Sequence, residues 1–460
     1  MKQSFIDEAK IAYLLDEAQA PSPVRLSEIL DKARAAQGLD QAEVATLLQV
    51  SDPQQLEQLF AAAKAVKQRI YGKRVVLFAP LYLSNECVNN CVYCGFRRDN
   101  SDLPRRTLTR DEIREQVEIL LEMGHKRLLL ESGEHEGKTP ISYILQAIET
   151  VYATRLNRDN IRRVNINVAA TSVDNYRLLK QAGIGTYQLF QETYHRASYQ
   201  RLHPPGPKAD YDYHLSAMDR AMQGGIDDVG IGALFGLYDH RFEVLALLQH
   251  AQHLQQKYGV GPHTISVPRW RPAPGASLPG TYQVKDWEFQ RLVAILRLAV
   301  PYTGIIMSTR ESPAMRDALL DLGVSQLSAA SAVAPGGYSR EPEEEPIQFE
   351  LSDHRSLQEV VLSIARHGYL PSFCTGCYRV GRTGERFMSL ARDGSIQTYC
   401  QPNAILTFAE YLLDHADAAP RQELQPRFTE WLHEIHDPML RQATEERLEG
   451  LKAGHRDYYF

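Results

Sequence analysis

From Lys73 onward the chain alternates between short apolar runs and longer stretches with apolar residues at helical spacing. No other feature of the sequence limits its fold as much. The strand-like runs are RVVLFAP, RLLLES, RRVNINVAA, GTYQLFQ, DDVGIGALF, HTISVP, GIIMSTR and SQLSAAS. Segments such as TRDEIREQVEILLEMG, SVDNYRLLKQAG, YDYHLSAMDRAMQGG and DWEFQRLVAILRLAV separate them. In the first of these, Thr109 and Glu112 fit a capping box and Gly124 fits the stop. Repeated strand–helix units imply a parallel sheet covered by helices. Eight such units predict an α/β fold of the (β/α)8 TIM-barrel type, with a doubly wound open sheet as the alternative.

The flanks read differently. In residues 1–72, SEILDKARAAQ and DQAEVATLLQV have helical spacing, and SDPQQLEQLFAAAKAVKQRIYG carries Pro53 near its start. The expected organisation is an N-terminal helical segment over 1–72, the barrel over 73–340, and a C-terminal region over 341–460. APGGYSREPEEEPIQFE reads as a solvated loop at the second boundary. A helix, DHRSLQEVVLSIARHG, follows it, and the tail from about Asn403 reads as helical and polar.

With 460 residues and a formal net charge of −6, the chain has no basic excess to offer nucleic acid. No apolar run approaches membrane-spanning length. The first residues, MKQSFIDEAKIAYLLDEA, have acids where a signal peptide would be apolar. The expected compartment is the cytoplasm, where structural disulfides are not expected. The six cysteines therefore need another explanation.

They fall in two groups of three. Cys87, Cys91 and Cys94 lie within NECVNNCVYCGF, with Tyr93 before the last; Cys374, Cys377 and Cys400 form the second group. Three thiolates suit three corners of a 4Fe–4S cubane and leave the fourth iron open to a ligand. Zinc would want a fourth protein ligand, and Glu86 and Asp99 are the nearest acids. Unligated thiols are the third possibility.

The first triplet follows the first expected strand, on the face where a barrel carries its chemistry. A CxxxCxφC loop there, with Tyr93 as the aromatic φ, resembles the radical S-adenosylmethionine (SAM) superfamily. The resemblance implies that the open iron chelates the amino and carboxylate groups of SAM, whose reductive cleavage yields a 5′-deoxyadenosyl radical. It also implies that Tyr93 lies beside the adenine. ESGEHEG places Ser132, Gly133 and Glu134 where the superfamily has a GGE-type motif for the SAM amino group; Ser132 departs from its first glycine.

Other strand ends are polar too. Asn165 and Asn167 share one face of the third strand and join the expected SAM-binding set. Gln191 and Glu192 close the fourth, and His263 opens the sixth. Ser308, Arg310 and Glu311 close the seventh, and Ser328 and Ser331 the eighth. An arginine in a barrel mouth needs an anion, and a carboxylate suits its planar fork.

The second cysteine group narrows the resemblance. Its spacing after such a barrel resembles the HydG family, the tyrosine lyases of iron–iron hydrogenase maturation. GPHTISVPRWRPAPG, STRESP and FCTGCYRVGRTGERFMSLA resemble that family as well. The likeness runs from roughly residue 50 onwards. It implies a second 4Fe–4S cluster on Cys374, Cys377 and Cys400, carrying an additional iron bridged by a free L-cysteine and held by His263. The implied reaction breaks the Cα–Cβ bond of L-tyrosine to give 4-cresol and dehydroglycine, which becomes carbon monoxide and cyanide at the second cluster. Arg310, with Ser308, is the expected holder of the tyrosine carboxylate. Ferredoxin or flavodoxin as electron donor and the other hydrogenase maturases are the implied partners. The rival readings are the thiamine-pathway tyrosine lyase (2-iminoacetate synthase, ThiH), which lacks the second triplet, a non-catalytic iron–sulfur scaffold, and a zinc-binding structural protein.

Overall fold

The computed structural model describes residues 4–278, 282–339 and 347–460; the acidic run of the boundary loop lies outside the described residues. The eight expected strands all form. They are β1 (Arg74–Ser84), β2 (Arg127–Ser132), β3 (Arg163–Asn167), β4 (Thr186–Gln188), β5 (Asp228–Gly232), β6 (Thr264–Ser266), β7 (Gly304–Met307) and β8 (Val324–Ser328). Each pairs in parallel with the next. β8 returns to β1 through Val76–Gln326, Leu77–Leu327 and Phe78–Ser328, which closes the barrel and removes the open-sheet alternative.

Beyond a short antiparallel pair, Arg155–Leu156 with Asp159–Asn160, one further strand joins the barrel sheet. β9 (Leu370–Ser372) pairs with Arg74–Val76 at the start of β1, below the closed ring. It is too short for a pattern of period two to declare itself, yet it sets the second cysteine group against the N-terminal end of the barrel. Cys374 follows β9 by two residues.

The helices form where expected. Thr109 and Glu112 make the reciprocal capping box of the helix Arg110–Glu122, and Gly124 follows its end at φ 101°. In the N-terminal segment, Pro53 occupies the first turn of the helix Pro53–Tyr71. That helix packs its Leu59, Ala62, Ala63 and Val66 face against the barrel helices Asp286–Ala299 and Pro313–Leu322. The segment is thus part of the barrel's outer layer. The C-terminal region departs from its polar reading: in the helix Gln397–Asp414, Ile405, Leu406, Phe408 and Tyr411 are buried. Its apolar residues surround the helix and so leave no single stripe to read. Among the described residues no helix is long and apolar enough to cross a membrane.

Candidate functional site

Side chains alternate along a strand, and on two barrel strands the inward set joins both ends of the molecule. On β1 it runs Arg74, Val76, Phe78, Pro80, Tyr82. On β2 it runs Arg127, Leu129, Glu131 and, just past the end, Gly133. The upper members line a cavity at the C-terminal mouth, and Arg74, Val76 and Arg127 line a second one at the opposite end. Phe78, Leu129 and Ile306 pack together as the apolar floor of the upper cavity.

The upper cavity gathers Cys87, Cys91, Cys94, Tyr93, Ser132, Gly133, Glu134, Asn167, Glu192, Ser308, Arg310, Ser328 and Ser331. Asn165 is separated from this set. It lies one inward position deeper on β3, outside the cavity lining, and its Oδ1 accepts from Thr186 N at 3.0 Å. Period two puts Asn165 and Asn167 on one face but says nothing of depth. Gln191 and Glu311 also lie outside the lining; Glu311 is fully buried and paired with Arg269 and Arg271. His263 belongs to the opposite mouth.

The cysteine loop is held from several sides. A Cβ on Gly133 would overlap the carbonyl oxygen of Glu86, so only glycine lets the end of β2 approach this closely. Val88 N donates to the Glu134 carbonyl at 2.8 Å, and Asn89 Nδ2 donates to the Glu134 carboxylate at 2.5 Å. Burial raises the Glu134 carboxyl, against the lowering pull of Asn89. Tyr93 is buried, with its hydroxyl 2.8 Å from His203 Nε2. Gln348 Nε2 donates to Cys94 Sγ at 3.7 Å.

Arg105 was not legible from the sequence and ties the whole loop together. Its Nη1 donates to the carbonyls of Asn85 and Phe96 at 2.7 and 2.8 Å, and its Nη2 to that of Arg97 at 2.5 Å. One guanidinium therefore fastens the chain before Cys87 to the chain after Cys94. Each carbonyl left buried without a donor costs about 1–3 kcal/mol. Arg105→Ala is accordingly expected to lose iron from the first cysteine group while retaining the barrel. Iron analysis with far-ultraviolet circular dichroism checks this; full iron content would contradict it.

The donor set fits an iron–sulfur cluster. Burial pushes the Cys91 thiol up to about 12 and the Cys94 thiol to about 11, so a metal's positive charge is what would keep them as thiolates. Among the described residues no three His, Cys, Asp or Glu side chains converge on one ion-sized point. A cubane takes its thiolates on separate irons, whereas a zinc ion needs its donors around one centre.

Two acids and two cations complete the upper cavity. Lys208 Nζ pairs with Glu192 at 2.8 Å. Arg310 stacks its guanidinium 3.3 Å over the Phe349 ring, and among the described residues that guanidinium has no hydrogen-bond acceptor. Burial raises the Glu131 carboxyl to about 7, against the lowering influence of Arg310 and a hydrogen bond from Tyr82. Glu131 went unread because a lone acid at the end of RLLLES has no partner in sequence.

The lower cavity gathers Cys374, Cys377, Cys400 and His263 with Arg74, Arg127 and Arg382. Gly376 N donates to Cys374 Sγ at 3.3 Å, and Arg127 Nη2 donates to the Cys374 carbonyl at 3.2 Å. The Nε of all three arginines is buried without a partner among the described residues. Three unsatisfied guanidinium N–H groups beside three thiols suit an anionic, thiolate-ligated cluster. His263 is 8 % exposed; its Nδ1 lies 3.4 Å from Asp228 Oδ1, and its Nε2 lies 3.4 Å from the Tyr378 hydroxyl.

Comparison with known proteins gives a consistent picture. Residues 81–250 match the Radical SAM superfamily, and residues 266–370 match the Biotin and Thiamin Synthesis associated domain. The crystal structure of HydG, a maturase of the [FeFe]-hydrogenase, aligns over 100% of both chains with a TM-score of 0.96 and 51% identity. That of the FeFe-hydrogenase maturase HydG from Carboxydothermus hydrogenoformans aligns over 95% of this chain and 97% of its own, with a TM-score of 0.82 and 41% identity. The 2-iminoacetate synthase of Escherichia coli K12 is 33% identical over 359 residues, which is 78% of this chain and 93% of that one.

Proposed function

The chain belongs to the HydG family of radical SAM enzymes, and from that premise we propose that it cleaves L-tyrosine at one end of its barrel and processes the two-carbon fragment at the other. The observation that carries this reading is the pair of cysteine triplets lining separate cavities at opposite barrel mouths. A tyrosine lyase that only released the fragment would need the first triplet alone.

When bound, the first 4Fe–4S cluster and SAM supply a 5′-deoxyadenosyl radical. Cys87, Cys91 and Cys94 hold that cluster; Tyr93, Ser132, Gly133, Glu134 and Asn167 contact SAM. Arg310, with Ser308, takes the tyrosine carboxylate, which supplies the acceptor its guanidinium lacks. The apolar floor of Phe78, Leu129 and Ile306 shields the radical from water.

Cleavage of the Cα–Cβ bond divides tyrosine into 4-cresol and dehydroglycine. Dehydroglycine in turn divides into carbon monoxide, hydrogen cyanide and water, with no oxidant needed. Cys374, Cys377 and Cys400 would hold a second 4Fe–4S cluster, which would supply the iron chemistry for that step. His263 would hold an additional iron beside it, with free L-cysteine as a further ligand, for delivery towards the hydrogenase site with the other maturases. A small one-electron donor of the ferredoxin or flavodoxin kind feeds the first cluster.

The test is anaerobic reconstitution followed by incubation with SAM, reductant and L-tyrosine. The expected products are 5′-deoxyadenosine and 4-cresol; an intact cluster that cleaves SAM but forms no 4-cresol overturns the reading. Arg310→Lys keeps the charge but loses the fork and its stacking on Phe349. It is expected to raise the tyrosine KM about tenfold, the worth of roughly 1.4 kcal/mol, with iron content and SAM binding unchanged. Loss of SAM binding instead would assign Arg310 to the other ligand.

A further inference from the structure

The upper cavity holds three carboxylates whose environments differ. Glu192 is paired with Lys208, and Glu134 accepts from Asn89. Among the described residues Glu131 has the Tyr82 hydroxyl as its one partner, and that hydroxyl donates its single proton to Gln348 Oε1 at 2.8 Å. In the same cavity the Arg310 guanidinium has no acceptor among the described residues. Glu131 and Arg310 are near enough for each to shift the other's protonation, yet they close no ion pair among the described residues.

An acid and a guanidinium that face one space and stay apart are complementary to a molecule with both charges of its own. An α-amino acid carries its carboxylate and ammonium on one carbon. If Arg310 takes the carboxylate, the ammonium falls towards an acid with lone pairs to spare. Glu192 and Glu134 are already engaged, which leaves Glu131.

We propose that Glu131 binds the α-ammonium group of the substrate and removes one proton from it before the radical step. The proposal rests on the tyrosine reading above and adds to it the group that recognises the amine. The proton passes from nitrogen to a Glu131 oxygen, and the N–H electron pair stays on nitrogen as its lone pair. The neutral amine then gives up a hydrogen atom to leave a neutral aminyl radical, where the ammonium would leave an aminium radical cation. Burial suits Glu131 to this exchange, because it holds the carboxyl near neutrality, where it can accept and return a proton.

The experiment compares L-tyrosine with 3-(4-hydroxyphenyl)propanoate, which has the same ring and carboxylate but no amine. Binding of each to the reconstituted protein with SAM is measured by equilibrium dialysis, for the wild type, Glu131→Gln and Glu131→Asp. Glu131→Gln is expected to weaken tyrosine by about 10- to 100-fold, the loss of one charge-assisted contact, and to leave the propanoate within about twofold. Glu131→Asp should restore part of the preference for tyrosine. Iron content and SAM binding report whether each variant is folded and loaded.

Equal weakening of both ligands, or of neither, overturns the role of Glu131. If wild-type protein binds neither ligand, the tyrosine reading itself fails and this inference falls with it.

Discussion

Replacing Cys91 with Ala is expected to abolish 5′-deoxyadenosine formation, with or without tyrosine. Cys91 is 7 % exposed and sits between the other two cysteines of its loop, at the mouth of the upper cavity. Three thiolates are the fewest that can hold a cubane and still leave an open iron for SAM. With two, the cluster is lost or its open corner is no longer unique. Either way SAM is not cleaved, and every later product disappears. Loss of one small buried side chain leaves the barrel intact, because the loop stays fastened by Arg105 and by the Asn89–Glu134 contact. The check is product analysis beside the spectrum of the second cluster. A Cys91→Ala protein that still cleaves SAM at the normal rate would remove the first triplet from its assigned role.

Cys377→Ala should divide the reaction. The second triplet lines the N-terminal cavity with Arg74, Arg127, Arg382 and His263, whereas the SAM loop stands at the C-terminal mouth. Among the described residues none lines both cavities, and Phe78, Leu129 and Ile306 floor the upper one. The variant should therefore continue to make 4-cresol, at a reduced rate, while losing most of its carbon monoxide. His263→Ala should be milder, losing the additional iron but keeping the second cubane, because one imidazole is removable where three thiolates hold a cluster. Electron paramagnetic resonance of the reduced variants, paired with 4-cresol and carbon monoxide assays, separates these outcomes. Equal loss of both products in Cys377→Ala, with the first cluster intact, would contradict the division of labour.

What could be read in advance followed from period and spacing. Eight apolar runs separated by amphipathic helices predicted a parallel barrel, and the pairing of β8 with β1 decided against the open sheet. Two cysteine triplets stood out because no cysteine lies elsewhere. Depth could not be read: Asn165 and Asn167 share a face, but only Asn167 reaches the upper cavity. Residues that act through long-range contacts were also silent. Arg105 sits in a plain loop, and its role lies in carbonyls five to twenty residues away in sequence. Glu131 closes β2 as a lone acid, and Arg310, remote in the chain, joins it only in the folded upper cavity. The C-terminal helix misled for a different reason. Burial on every side, as at the consecutive residues Ala404, Ile405, Leu406 and Thr407, erases the one-sided pattern by which a packed helix is recognised.

The most direct test follows the atoms of the substrate. L-Tyrosine labelled with carbon-13 at the carboxyl group and nitrogen-15 at the amino group is given to the reconstituted protein with SAM and reductant, and 4-cresol, carbon monoxide and cyanide are measured together. Cleavage at the upper site followed by processing at the lower predicts unlabelled 4-cresol, carbon-13 monoxide and nitrogen-15 cyanide in amounts that rise together. Labelled dehydroglycine or its hydrolysis product accumulating in step with 4-cresol, with neither labelled gas formed while both clusters are present, would contradict it.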